Sequence, residues 1–155
     1  MSDRDPTAAS DEAYVTYRFD APPEVVFAAW TDPEQVARWW APEGFEIPPE
    51  SVEIEPRVGG RFHLDMVEIS GPGRSSYRAE IVELVEPELI ALKGKPIAGT
   101  EIEETITRAE LVADGGGTRM TVTSGPFTPE ARKNAQTGWG EIVVKLERVL
   151  AAGPA

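Results

Sequence analysis

The chain has 155 residues, 41% hydrophobic and 27% charged, which suits one soluble globular domain with a sizeable core. Its 15 Lys and Arg stand against 27 Asp and Glu, a net charge of −12. That balance argues against binding a nucleic-acid backbone or an anionic membrane surface, since both require clustered cations. With no cysteine and a single histidine, disulfides, thiolate metal sites, a Cys nucleophile and a two-His metal site are excluded.

No apolar run reaches transmembrane length. The N-terminus "MSDRDPTAASDEA" has no basic start followed by an apolar stretch, so no secretory signal is read there. Together with the missing cysteines this fits a cytoplasmic protein. Residues 1–12 are polar and acidic and are expected to form a mobile tail. A single domain is expected over 13–152.

In "AYVTYRFDAP" (13–22) Val15, Tyr17 and Phe19 alternate with Tyr14, Thr16 and Arg18, which predicts a first strand. "PPEVVFAAW" opens on prolines, as helices do, with Val25, Val26, Ala29 and Trp30 as its apolar face. "DPEQVARWW" predicts a second short helix. Asp32 is placed as its N-cap, Pro33 as its first residue and Gln35 as the third-position partner of a capping box. Pro42 and Gly44 end it.

A run of strands is predicted next, over "SVEIEP" (51–56), "GGRFHLDMVEI" (59–69), "SSYRAEIVELVEP" (75–87), "LIALKG", "EIEETITRAELV" (101–112) and "TRMTVTSG" (118–125). Phe62, Leu64 and Met66 share one face of the second of these, opposite Arg61, His63 and Asp65. In the third, Tyr77, Ala79 and Ile81 share a face before the apolar parity shifts to Val82 and Leu84, which implies a bulge. For 101–112 two registers stay open. One turns Ile102, Glu104, Ile106 and Arg108 inward, and the other Thr105, Thr107, Ala109 and Leu111. "ADGGGT" predicts a hairpin turn, with Met120 and Val122 on one face of the returning strand.

The closing stretch 128–152 has helical spacing. Thr128 caps it, Pro129 starts it, and Ala135, Trp139, Ile142, Val143, Leu146, Val149 and Leu150 form one stripe. Lys145 follows Glu141 by four residues, the spacing of a surface ion pair. Strands grouped between helices at the two ends define an α+β protein, with the last helix laid across a curved sheet.

Catalytic motifs are sparse. His63 alternates outward, and a surface position is favoured over a catalytic one. There is no G-x-S-x-G word for a serine nucleophile. "GGRF" and "DGGGT" do not open a helix after a strand with dinucleotide-binding spacing. Glu103 and Glu104 are neighbours in a predicted strand, so they cannot both enter one cavity. No catalytic residue, metal ligand or cofactor is assigned.

"DAPPEVVFAAWTDPEQVARWWAP", "VGGRFHLDM", "EIVELVEPELIAL", "GGGTRMTVTSG" and "TGWGEIVVKLERVL", taken in that order, resemble the START-like (SRPBCC) superfamily. Within it they are most similar to the "activator of Hsp90 ATPase homologue"-like group, many of whose members are bacterial. The resemblance spans residues 13 to 150. It implies a helix-grip fold, in which a seven-stranded antiparallel sheet wraps a long C-terminal helix and two short helices close one end. It also implies a hydrophobic cavity between sheet and helix. On that frame Trp39 is assigned to the cavity, its neighbour Trp40 being left to the core or the rim. Phe62, Leu64, Met66, Tyr77, Met120, Trp139 and Val143 are the other expected lining residues, with Glu104 a candidate polar group if its register holds. Gly138 and Gly140 are expected to clear space around Trp139 for the short helices.

Three functions follow from these readings. A small-molecule binding domain would hold a hydrophobic or aromatic ligand. A co-chaperone-like module would touch the Hsp90 chaperone, although the separate N-terminal domain of the eukaryotic activators is absent from this sequence. A cyclase- or hydrolase-like enzyme comes third. Homodimerisation is compatible with such domains, but no motif supports it.

Overall fold

The structure, a computed structural model, describes residues 11–97, 100 and 102–152. Alternating apolar residues form β1 (Ala13–Phe19), which enters α1 (Pro23–Thr31) and α2 (Pro33–Trp39) through the Pro22–Pro23 pair. Eight strands form one antiparallel sheet. After β1 come two short pieces, β2 (Phe45–Glu46) and β3 (Glu53–Ile54), then β4 (Arg61–Glu68), β5 (Arg74–Val85), β6 (Leu89–Gly94), β7 (Thr105–Asp114) and β8 (Gly117–Gly125). Their order is β1-β8-β7-β6-β5-β4-β2, and β3 also pairs with β4. The chain closes with α3 (Pro129–Ala152). The curled sheet wraps α3, giving an α+β helix-grip fold.

Several local expectations are met. Asp32 caps α2, accepting from Glu34 N at 3.1 Å and from Gln35 Nε2 at 2.9 Å, so Gln35 bonds the capping carboxylate rather than the backbone behind it. The ladder between β5 and β6 slips between Ile81 and Glu83, where the bulge was read. Gly115 and Gly116, with φ of 56° and 86°, turn β7 into β8, a conformation glycine adopts without steric penalty.

Other expectations are corrected. The strand read over 51–56 shrinks to Glu53–Ile54, because Pro49–Ser51 forms a 3-10 turn. The sheet has eight strands rather than seven. On α1 the buried face is Val26, Phe27, Ala29 and Trp30, while Val25 faces solvent. Of the two registers left open for β7, the structure takes the one that buries Thr105, Thr107, Ala109 and Leu111, leaving Ile106 exposed. Of the expected tail, residues 1–10 lie outside the described residues. Asp11 and Glu12 are held, their carbonyls accepting from Phe127 N at 2.9 Å and Arg132 Nε at 3.0 Å.

Helix α3 is fixed at both flanks. Its Gln136 accepts from Tyr14 N at 2.8 Å and donates back to Tyr14 O, so it satisfies the free backbone of edge strand β1. Lys145 and Glu141 do not form the expected pair. Lys145 Nζ donates to Ala41 O at 2.7 Å, and Glu141 Oε1 accepts from Glu43 N at 3.1 Å. Both side chains therefore pin the segment after α2 onto α3.

On the outer face Asp65 is buried beneath Arg74 and Arg78. Its carboxylate accepts from Arg74 Nη2 at 2.6 Å, Ser76 Oγ at 2.7 Å and Arg78 Nη1 at 3.2 Å. Burial alone would raise its pKa, but the bonds from Ser76, Arg74 and Arg78 together outweigh it and hold the carboxyl below its ordinary value. His63 points outward as read, yet it is half-buried, with Nδ1 3.7 Å from Glu53 on β3. Burial and then Arg78 lower its pKa.

Two outcomes are expected. Asp65→Asn should lower stability by about 1–2 kcal/mol at pH 7, because charge-assisted bonds are lost to arginines that remain partly solvated. A carboxyl with a depressed folded pKa stabilises above its unfolded value and ceases to as pH falls through the folded one. The gap between the variant and the parent in urea unfolding should therefore narrow below about pH 4. Gly140→Ala should stabilise by about 0.5–1 kcal/mol. A Cβ there meets nothing within 4 Å, and a matching rise in the urea midpoint checks it.

Candidate ligand-binding site

All four tryptophans meet at one point. Trp30 of α1 lies 4.9 Å from Trp39, 5.6 Å from Trp40 and 6.1 Å from Trp139, ring centre to ring centre. Trp40 also stands 5.6 Å from Trp139, at 77°. Edge-to-face and tilted pairs at these distances are favourable beyond the area they bury. The cluster joins the two short helices to the middle of α3.

Trp39 and Trp40 diverge because consecutive residues at a helix end point about 100° apart. Trp39 is 0% exposed, and its Nε1–H donates to Ala29 O at 2.9 Å. Trp40, at the C-cap of α2, turns toward the sheet, with Phe62 at 5.1 Å and Tyr77 at 5.6 Å.

Beyond Trp40 the core is incomplete. A cavity of about 740 Å³ lies between the sheet and the N-terminal half of α3, within the range of small-molecule sites. Ala131, Ala135, Gly138, Trp139 and Ile142 supply the helix wall, at three- and four-residue spacing. Met66, Tyr77, Thr105, Thr107 and Ser124 supply the sheet wall, and Ile97, Thr100 and Ile102 approach from the loop between β6 and β7. Farther along α3 the wall closes, and Val143, Leu146 and Val149 are buried in the core.

Of the nine residues read from the sequence, Met66, Tyr77 and Trp139 line this cavity. Phe62, Leu64, Met120 and Val143 face inward but are consumed by core packing. Trp39 is corrected to the core, its place on the wall being taken by Trp40. Glu104 is corrected to the outer surface. The β7 register turns it out, and Lys93 Nζ lies 3.7 Å from it. Arg108, which shared that inward face in the register not taken, pairs with Glu83 and Glu110. The sequence reading did not place Thr105, Thr107 and Ser124 at the cavity, because no apolar pattern marks them.

The glycines near Trp139 are less necessary than read. A Cβ on Gly138 would meet Pro42 at an ordinary 3.7 Å. The glycine that matters is Gly94 of β6. A Cβ there would stand 2.8 Å from Tyr77 Cε1 and 3.2 Å from Thr105 Oγ1. The absent side chain lets the Tyr77 ring lean from β5 across β6 toward β7, a close approach of the kind that glycine permits inside a strand.

Tyr77 Oη is buried without a hydrogen-bond partner. Burial raises its phenol well above the ordinary tyrosine range, and the neighbouring Thr107 hydroxyl only tempers the shift. Thr107 itself is hydrogen-bonded to Ser124 at 2.8 Å. Among the described lining residues, only Tyr77 and Glu130 can ionise, and none is cationic. No group of three or more His, Asp or Glu gathers among the described residues to hold a metal, and no described helix is long and apolar enough to cross a membrane.

Comparison with known proteins agrees with this architecture. Protein CV1439 from Chromobacterium violaceum superposes with a TM-score of 0.82 at 22% identity, covering 90% of this chain and 96% of that one. A protein from Arthrobacter aurescens gives 0.79 at 23%, covering 97% and 91%. The AHSA1 protein of Silicibacter pomeroyi gives 0.78 at 19%, covering 91% and 98%. Likeness at such identities concerns the fold alone. No curated protein matches the sequence significantly. The model of the family "Activator of Hsp90 ATPase homolog 1-like protein" matches residues 20–151. The chain belongs to that family, within the START-like (SRPBCC) superfamily.

Proposed function

We propose that this protein is a small-molecule binding domain that holds a hydrophobic or aromatic ligand between the sheet and α3. The observation that carries this reading is the 740 Å³ gap beside Trp40 and Trp139. Large buried rings surround it on the helix side, yet Ala131, Ala135 and Gly138 present small side chains where larger ones would fill it. A cleft of this size, open to solvent on one side and backed by the core, with small residues on its helix wall, supports a built binding site.

The family name supports a second reading, contact with an Hsp90-type chaperone. That reading requires an exposed interaction face and no cavity, so the same experiment separates the two. No pair of groups in the cavity supports acid–base catalysis, since Glu130 at the start of α3 is exposed and Tyr77 is held protonated. The cyclase or hydrolase reading therefore stands last.

A thermal-shift screen with fatty acids, flavonoids, sterols and aromatic polyketides is the test. A ligand present at about 100 times its Kd should stabilise the protein by about 2.7 kcal/mol, a rise of roughly 5–10 °C for a domain of this size. Ala135→Trp, which fills the space from the helix side, should abolish that shift while leaving the far-UV circular dichroism unchanged. A blank screen, together with chaperone capture by the purified protein, would favour the second reading instead.

A further inference from the structure

The outer face of the sheet carries a second concavity, of about 390 Å³, over β4, β5 and the end of β6. Two rows of side chains cross the strands there. In the first, Arg61 stands opposite Glu80 and Glu80 opposite Lys93, so charge alternates. Glu53 and Glu104 add carboxylates 3.4 Å from Arg61 and 3.7 Å from Lys93. In the second, His63 stands opposite Arg78. Lys95 follows, its backbone N–H bonded to Arg78 O at 2.9 Å. That row holds no carboxylate. Like charges on neighbouring strands cost stability, so the second row bears a cost that the first avoids.

The donors of the second row are accessible. Arg78 uses only Nη1, for Leu64 O, Asp65 Oδ1 and Tyr77 O. Its Nε and Nη2 are uncommitted among the described residues, and its side chain is 41% exposed. Lys95 is exposed and forms no ion pair among the described residues. His63 meets Arg61 on its own strand, Glu53 on β3, Arg78 on β5 and Lys95 after β6. Burial, and then Arg78, Arg61 and Lys95, hold its imidazole below the ordinary pKa against the pull of Glu53. It is therefore neutral at pH 7 and able to take up a proton.

We propose that this row binds the phosphate group of a small phosphate monoester. Charge complementarity selects an anion, and a phosphate brings three acceptor oxygens to three side chains on adjacent strands. A carboxylate brings two. The volume is that of a small-molecule site. An extended polyanion is disfavoured, because the row is short and Glu53, Glu80 and Glu104 surround its neighbour row. The net charge of −12 adds to that repulsion. The groove lies across the sheet from the cavity beside Trp40 and does not depend on what fills it.

NMR of His63, the single histidine of the chain, tests this in untagged full-length protein and phosphate-free buffer. Glycerol 3-phosphate is the probe, with glycerol as the uncharged control and a short oligothymidylate as the extended polyanion. A dianion beside an imidazole favours its charged form, so the His63 pKa should rise by about 1 at saturation. Lys95→Gln should weaken the ester about tenfold, the increment of one charge-assisted hydrogen bond. Lys133→Gln makes the same charge change at an exposed position on α3 and should leave the affinity unchanged, as should Ala135→Trp in the cavity. Circular dichroism checks the fold of each variant.

The proposal is overturned if glycerol 3-phosphate does not bind saturably, or binds without moving the His63 pKa. It is also overturned if Lys95→Gln weakens the ester no more than Lys133→Gln does. Tighter binding of oligothymidylate per phosphate would assign the row to a nucleic-acid backbone instead. None of these results bears on the cavity, whose ligand is read by the thermal-shift screen.

Discussion

The structure depends on the contact of Trp30 with the other three tryptophans. Trp30 sits on α1, Trp39 and Trp40 end α2, and Trp139 lies in α3, so one cluster sets the position of every helix. Rings this large form a rigid wedge, because each has few rotatable bonds and large buried area. The wedge holds the short helices and α3 at a fixed separation from β5 and β7. Hydrogen bonds from Lys145 and to Glu141 fasten the segment after α2 in the same place. The space left in front of Trp40 and Trp139 therefore follows from how the helices are held.

The two halves of α3 do different work. The C-terminal half presents Val143, Leu146 and Val149 and closes the core against the sheet and short helices. The N-terminal half presents Ala131, Ala135 and Gly138, which are too small to reach across. Gln136 meanwhile anchors that half to β1 through the Tyr14 backbone. Because the helix is tied along its flank, it does not collapse into the space beneath it. On the opposite wall Thr105, Thr107 and Ser124 add hydroxyls to a lining that is apolar over most of its surface.

The element order, the cap of α2, the bulge in β5 and the stripe of α3 were legible in the sequence, because each rests on local rules of periodicity, capping and turn chemistry. The cavity was only partly legible. Inward alternation correctly turned Phe62, Leu64, Met66, Met120 and Val143 toward the core, but alternation cannot distinguish a side chain that fills the core from one that borders a gap. That distinction is made by three-dimensional neighbours. Trp39 and Trp40 illustrate the limit, since adjacent identical residues differ only in the direction each points from the helix end.

The β7 register could have been read. A two-residue turn at Gly115–Gly116 pairs Asp114 with Gly117 and sets Leu111 opposite Met120, Ala109 opposite Val122 and Thr107 opposite Ser124. Residues directly opposite one another share a face, so the inward placement of Met120 and Val122 excludes Glu104 from the interior. The apolar pull of Ile102 and Ile106 kept the other register open beside this one, because hydrophobicity alone weighs isoleucine over threonine. The polar end of the cavity was missed for the same reason.

The most direct test of the central claim, that the space beside Trp40 and Trp139 receives a ligand, is a two-dimensional ¹H–¹⁵N NMR titration of the four indole N–H groups with an apolar aromatic compound. The account expects the Trp40 and Trp139 resonances, assigned by single Trp→Phe variants, to shift saturably. The Trp39 resonance, whose N–H is bonded to Ala29 O, should stay in place. Saturable binding that leaves Trp40 and Trp139 unmoved would put the ligand elsewhere on the protein and contradict the account.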